Sequence, residues 1–204
     1  MYARFFKRPL DLILSLLALI LLSPLFVGIA VWIKLDSKGP VFFRQKRVGK
    51  GKKLFLIFKF RSMRNDTPHD TPTHMMKNPN SYITKCGALL RKTSLDELPQ
   101  LLNILRGDMS IVGPRPALFN QDDLIAERDK WHANDVRPGL TGWAQINGRD
   151  RLSIPKKAKF DGEYAANITF MFDLRCIFGT FSYVLHQRGI VEGTQDNNGK
   201  ENNQ

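Results

Sequence analysis

The longest hydrophobic feature of the chain comes first. From Leu12 to Ile33 almost every position is apolar, and only Ser15, Ser23, Pro24 and Gly28 interrupt the run. This is long enough for one membrane span. It is too long for a signal-peptide core and has no convincing small-residue cleavage site, so the segment is expected to be retained. Two features favour a bent helix that enters and leaves through one leaflet. Arg4, Lys7 and Arg8 precede the run while Lys34, Lys38 and Arg44 follow it, so basic flanks draw both ends to the cytoplasmic side. Ser23-Pro24 lies near the middle, where proline removes a helical hydrogen bond and serine can satisfy a freed carbonyl.

The pattern then changes. Val41-Phe42-Phe43-Arg44-Gln45, the turn-like Gly49-Lys50-Gly51-Lys52 and Leu54 through Arg61 predict a β-hairpin. In its second strand, alternation sets Lys59 and Arg61 on one face and Phe58 and Phe60 on the other. Two cations so placed can hold a diphosphate; a solvated or lipid-facing edge is the plainer alternative. Residues 65–80 are polar, and the spacing of Asp66, His69, Asp70 and His74 is not that of a zinc site, so a surface loop is expected. Tyr82 to Lys92 carries a short apolar pattern, and Leu98, Leu101, Leu102 and Leu105 recur at helical spacing, with Pro99 in the first turn and Gly107 at the stop. Gln121 to Asn134 predicts a charged, solvent-facing helix. Ile168 to Leu185 is aromatic-rich but broken by Asp173 and Arg175, which suits an interfacial or core helix better than a span. Thr194 to Gln204 is polar and expected to be disordered. The fold class is therefore α+β: a re-entrant helix-break-helix over 1–38, a small, mostly helical cytoplasmic domain with a short β-hairpin over 39–193, and a tail over 194–204.

Charge sharpens this picture. The 204 residues carry a formal net charge of +12, and between Lys34 and Arg64 the only acid is Asp36. Such a segment selects an anionic partner, whether nucleic acid, acidic headgroups or a phosphorylated substrate. Cys86 and Cys176 form no CxxC and suggest no disulfide framework. Against this background Ser94-Leu95-Asp96-Glu97-Leu98-Pro99-Gln100 sets two adjacent carboxylates at a helix start. In structural terms Asp96 is a cap, or Ser94 and Glu97 form a capping box. In chemical terms, a helix N-terminus favours an ionised carboxylate and a nearby phosphate. An ionised aspartate can attack phosphorus once cations quench the repulsion. Arg91 and Lys92 lie beside the pair. Pro114 and Pro116 hold Arg115 on a stiff loop suited to bidentate phosphate contact, although a structural turn with an incidental arginine is an alternative. In Arg137 through Arg149, three glycines allow close backbone approach, Trp143 offers a flat surface, and Arg137, Gln145, Asn147 and Arg149 offer polar contacts. Such a loop suits a nucleotide or sugar, and equally a tight structural turn.

Together these pieces resemble the bacterial sugar transferase family, the monotopic phosphoglycosyl transferases that begin glycan assembly on polyprenyl phosphate. The resemblance runs from about Lys7 to Gly189. It rests on Ser23-Pro24, Gly39 through Phe43 with Gln45 and Arg47, Lys59 through Met63, Thr93 through Gln100, Gly107 through Pro116, and Arg137 through Arg149, with Asp161, Tyr164 and Asp173 also in place. It implies a bacterial inner-membrane enzyme with its catalytic domain on the cytoplasmic face. It further implies that Asp96 attacks the β-phosphorus of a UDP-sugar, expelling UMP and forming a phosphosugar ester that undecaprenyl phosphate then displaces. Mg²⁺ at Asp96 is the implied cofactor, and Glu97 orients the metal or assists the acceptor. Lys59, Arg61, Arg91, Arg115, Arg137, Gln145, Asn147 and Arg149 are the implied substrate contacts. The product would open synthesis of an O-antigen, capsule, exopolysaccharide or glycoprotein glycan. With no large domain before the apolar run, the chain is most similar to small PglC-like members, which suggests an N-acetylated amino sugar. The 65–80 loop follows no family pattern. Two rivals remain: a membrane-anchored basic module for acidic lipid or nucleic acid, and an inactive scaffold. Under the transferase reading no nucleic-acid partner is expected.

Overall fold

The computed structural model describes residues 1–67 and 79–185. His69, Asp70, His74 and the 194–204 tail lie outside the described residues. The chain opens with α1 (Tyr2–Phe5) and α2 (Lys7–Leu21), breaks at Leu22 and continues as α3 (Ser23–Asp36). The two long helices are bent by 61° at the break. Pro24 occupies the first turn of α3, where its missing N–H costs nothing, and Ser23 Oγ donates to the Ile20 carbonyl at 2.8 Å. Among the described residues no single helix is long and apolar enough to cross a membrane, whereas the bent α2–α3 pair has the length and composition.

This hairpin has two faces. Ile13, Leu17, Ile20, Leu21, Val27 and Val31 are exposed. On the other side, Ala18 and Leu19 pack against Ile57, Leu101, Ile104 and Met109, while Ile29 and Ile33 join Phe60, Cys86 and Leu90. Each fully buried isoleucine contributes about 2 kcal/mol. The hairpin is therefore part of the core on one side and bare hydrocarbon on the other.

The β-hairpin forms as the alternation predicts. Strands β1 (Phe42–Val48) and β2 (Leu54–Phe60) pair antiparallel from Phe42↔Phe60 to Val48↔Leu54. Helix α4 (Lys85–Lys92) is capped by Thr84, whose hydroxyl accepts the Gly87 N–H. Helix α5 (Gln100–Arg106) stops at Gly107, whose φ of 96° is the left-handed conformation such a stop requires. There follow β3 (Ser110–Val112), α6 (Asp122–Asp129), β4 (Gly139–Thr141), α7 (Trp143–Ile146), α8 (Ile154–Ala166) and α9 (Phe170–Leu185).

Three features depart from the sequence expectations. Strands β3 and β4 pair in parallel, Ser110↔Gly139 and Val112↔Thr141, forming a second small sheet; three-residue strands are too short to show a period. The 121–134 segment is not a wholly solvent-facing helix. It stops at Asp129 and buries Arg128, whose Nε and Nη2 donate to Asp161 Oδ2 at 2.8 and 2.6 Å. Finally, Asp173 is buried in α9 and accepts from Tyr2 Oη, Lys7 Nζ and Tyr164 Oη at 2.7, 2.6 and 2.7 Å. The apparent defect in an aromatic helix is thus the group that ties α9 to the N-terminus, leaving Phe170, Met171, Phe178 and Phe181 exposed.

Candidate active site

After α4, Ser94 adopts the left-handed conformation (φ 57°) and sends the chain into a single 3-10 turn, Leu95–Glu97, after which Pro99 stands at the N-cap of α5. The expected capping bonds do not form, because Ser94 is not in the extended geometry of an N-cap. The turn instead buries both carboxylates, leaving Asp96 7% and Glu97 8% exposed. Burial of adjacent charges demands partners.

Glu97 has several. Lys59 Nζ donates to Oε1 at 2.8 Å, Arg115 Nη2 to Oε1 at 2.7 Å and Arg115 Nη1 to Oε2 at 3.3 Å. Arg149 Nη2 stands 3.8 Å from Oε1. Asp96 is held more loosely, with Lys59 Nζ 3.9 Å from Oδ2. The two acids consequently differ. Burial pushes the Asp96 carboxyl up, the Glu97 charge adds to that rise, and Lys59 and Arg91 only partly oppose it. Burial acts upward on Glu97 too, but Arg115, Lys59 and Arg149 outweigh it and hold the carboxyl well below the usual range. One member of the pair is a carboxylate bonded by several cations; the other makes only a loose approach to one of them.

The backbone explains the convergence. Lys59 comes from β2. Arg115 follows β3 on a loop locked by interleaved glycines: Gly113 N–H donates to Thr141 O at 2.8 Å, and a side chain at Gly142 would place its Cβ 2.1 Å from Gly113 O. Gly148 (φ 139°) and Arg149 (φ 51°) turn the chain so that the Arg149 guanidinium approaches Glu97. Arg47 was not among the sequence candidates. It is half-buried behind the Arg115 loop, with Nη1 donating to Pro116 O at 3.1 Å and Nη2 to Gln45 Oε1 at 2.6 Å. Burial and the neighbouring Arg115 charge push its guanidinium down to about 10, against the pull of Glu97. The signal was available: Phe43 pairs with Lys59, so alternation along β1 puts Gln45 and Arg47 on the Lys59 face.

Other candidates lie elsewhere. Arg61 falls just beyond β2, where Nη1 donates to Lys38 O at 2.8 Å and Nη2 to Ser37 O at 2.7 Å, closing the carboxyl end of α3. Arg137 is exposed, and its Nε donates to Gly107 O at 3.0 Å, at the end of α5. Gln145 and Asn147 donate to the carbonyls of Leu140 and Trp143 and brace their own loop. Trp143 is no open platform: its Nε1 donates to Glu163, Arg175 lies 4.6 Å from the ring centroid, and Phe160 and Phe172 meet it edge-on. Arg91 acts on Asp96 through its charge, with Nη1 3.7 Å from Met63 Sδ.

Among the described residues no three metal-ligating side chains cluster. Mg²⁺ does not need them, since one or two carboxylates suffice when water and substrate phosphates complete its octahedron. Asp96 is free enough to be that carboxylate, whereas Glu97 is already bracketed by cations.

The sequence profile described as bacterial sugar transferase matches residues 2–187. The chain belongs to that family. The UDP-glucose:undecaprenyl-phosphate glucose-1-phosphate transferase of Xanthomonas campestris pv. campestris is 43% identical over 191 residues, covering 89% of this chain and 39% of that protein. Exopolysaccharide production protein PSS of Rhizobium leguminosarum bv. phaseoli is 42% identical over 186 residues, covering 85% of this chain and 92% of the relative. The UDP-N-acetylgalactosamine-undecaprenyl-phosphate N-acetylgalactosaminephosphotransferase of Aeromonas hydrophila is 38% identical over 190 residues, covering 89% and 44%. The chain thus spans well under half of the first and third relatives and nearly all of the second. These named members make the family one of transferases.

Proposed function

We propose that this chain transfers a sugar 1-phosphate from a UDP-sugar to undecaprenyl phosphate and releases UMP, as the first membrane step of an exopolysaccharide or related glycan. The observation that carries the reading is the buried Asp96–Glu97 pair facing Lys59, Arg115 and Arg149. A pyrophosphate entering this cluster brings its own negative charge to cations already assembled there, at no reorganisation cost. In the proposed sequence an Asp96 carboxylate oxygen forms a bond to the β-phosphorus, and the bond from that phosphorus to the UMP oxygen breaks, UMP leaving with the electron pair. A phosphate oxygen of the lipid then attacks the same phosphorus and releases Asp96 as a carboxylate. Mg²⁺, held by Asp96 and the donor phosphates, would supply further charge neutralisation.

The exposed hydrocarbon of the α2–α3 hairpin supports its placement as a re-entrant element in the inner membrane, with the catalytic domain on the cytoplasmic face. The acceptor is itself a lipid, so a site at the membrane surface brings the two together. The internal pairing of Lys59 and Arg115 with Glu97 weighs against a generic basic module for nucleic acid. The sugar is open between the donors in the relatives' names: UDP-glucose at 43% identity and UDP-N-acetylgalactosamine at 38%. The donor in the second of these names is an N-acetylated amino sugar, the class expected from the sequence.

Purified protein in detergent, supplied with Mg²⁺ and undecaprenyl phosphate, is expected to release UMP from at least one of UDP-glucose, UDP-N-acetylglucosamine and UDP-N-acetylgalactosamine. Folded protein that releases none would overturn the reading. In cells, the protein should remain in the membrane pellet through a wash at about 1 M salt, where charge attraction is screened beyond about 3 Å. Complete release into the wash would rule out an inserted hairpin.

A further inference from the structure

Beyond Lys7 and Arg8, helix α2 is apolar except for Asp11 and Ser15, and these two are its buried residues. Asp11 is only 5% exposed. Its Oδ2 accepts the Ser110 hydroxyl at 2.6 Å and its Oδ1 accepts the Ile111 N–H at 3.2 Å. Both partners belong to β3. Strand β3 turns its other edge to β4, with Ser110 N–H donating to Pro138 O at 2.9 Å. Asp11 therefore stands where a third strand would be, pairing an edge N–H that β4 does not reach.

We propose that Asp11 is a positioning residue for the donor-phosphate site: it fixes β3 from the edge away from β4 and so sets Arg115 against Glu97. The proposal rests on the transferase reading above. Arg115 lies three residues beyond Val112, the end of β3, and Gly113 and Pro114 between them have little freedom, Gly113 being clamped by Thr141. Arg115 then bonds both oxygens of Glu97. A displacement of β3 thus moves the backbone from which the Arg115 guanidinium reaches Glu97. A second tie runs parallel. Tyr164 Oη shares its one hydrogen between Asp173 Oδ1 at 2.7 Å and Val112 O at 3.0 Å, while Asp173 Oδ2 accepts from Lys7 and Tyr2. Each of the three β3 residues is thereby tied to the N-terminal helices, Ser110 through its hydroxyl, Ile111 through its N–H and Val112 through its carbonyl by way of Tyr164 and Asp173, which makes the hairpin a part of the catalytic site as well as a membrane element.

The test is a double-mutant cycle on detergent-purified full-length protein with the donor found above. Asp11→Ala is expected to raise the donor KM about tenfold, the effect of losing charge-assisted hydrogen bonds that hold a binding group. Asp11→Asn should restore it to within about twofold, because its carbonyl can accept the Ile111 N–H and the Ser110 hydroxyl can turn to accept from the amide. In an Arg115→Ala background, Asp11→Ala should change KM less than about twofold, since there is no guanidinium left to misplace. Fully multiplicative effects, or an unchanged donor KM in folded Asp11→Ala, would overturn the proposal. If Asp11→Ala does not fold, Ser110→Ala removes one of the two bonds and carries the same cycle, with a KM rise of about threefold expected alone and none beside Arg115→Ala. A wild type inactive toward every donor overturns the transferase reading itself; an active wild type without coupling overturns only the role of Asp11.

Discussion

Asp96→Asn is expected to lower UMP release by at least about ten-thousandfold, the scale of loss when a covalent nucleophile is removed. The substitution preserves shape, but an amide has no anionic oxygen with which to attack phosphorus. Folding should survive. Burial already pushes the Asp96 carboxyl up, so a neutral side chain at that position relieves a desolvation cost. Thermal unfolding of the variant should therefore occur at or above the wild-type temperature, which separates chemical from structural loss. Wild-type protein incubated with its donor and no lipid acceptor should gain the mass of one sugar phosphate, and the variant should gain nothing. Substantial UMP release by Asp96→Asn would refute the assignment of Asp96 as nucleophile.

The features legible in the sequence were those with local causes. Ser23-Pro24 breaks a helix through its own missing N–H and hydroxyl, and Gly107 ends one through its own φ. The hairpin follows from alternation within a few residues. The adjacent carboxylates were conspicuous for the same reason. Roles fixed by distant partners were not legible. Asp11 stands just before the apolar run in sequence, yet its partners lie about a hundred residues away in β3. Arg128 belongs to a segment with the charge pattern of a solvated helix until Asp161 comes to meet it. Arg61 alternates with Phe60 as though it shared the Lys59 face, but β2 ends at Phe60 and the next residue turns to the end of α3. Trp143 is flat and apolar in any sequence; only packing reveals that Arg175, Phe160 and Phe172 already cover it. Lys59, Arg115 and Arg149 were candidates from the sequence, but their common target, Glu97, emerged only in three dimensions.

That common target predicts a role for Glu97 distinct from that of its neighbour. It occupies, with a carboxylate, the centre of a cation cluster that a substrate phosphate would otherwise have to assemble. Glu97→Gln keeps the volume and one acceptor oxygen but removes the charge that Lys59 and Arg115 both bond and Arg149 approaches. The cations should spread, and kcat should fall by about a hundredfold to a thousandfold through lost preorganisation. Donor affinity should move the other way or stay level, because cations relieved of the Glu97 charge attract a pyrophosphate at least as well as before. Calorimetric titration of Glu97→Gln with the UDP-sugar is the decisive measurement, since slow turnover leaves the donor intact while it binds. A Kd equal to or below that of Asp96→Asn would mark Glu97 as the organiser of the cluster. A Kd weakened by tenfold or more would show that the carboxylate holds the donor itself, through a bound cation, and that Lys59, Arg115 and Arg149 keep their places without it.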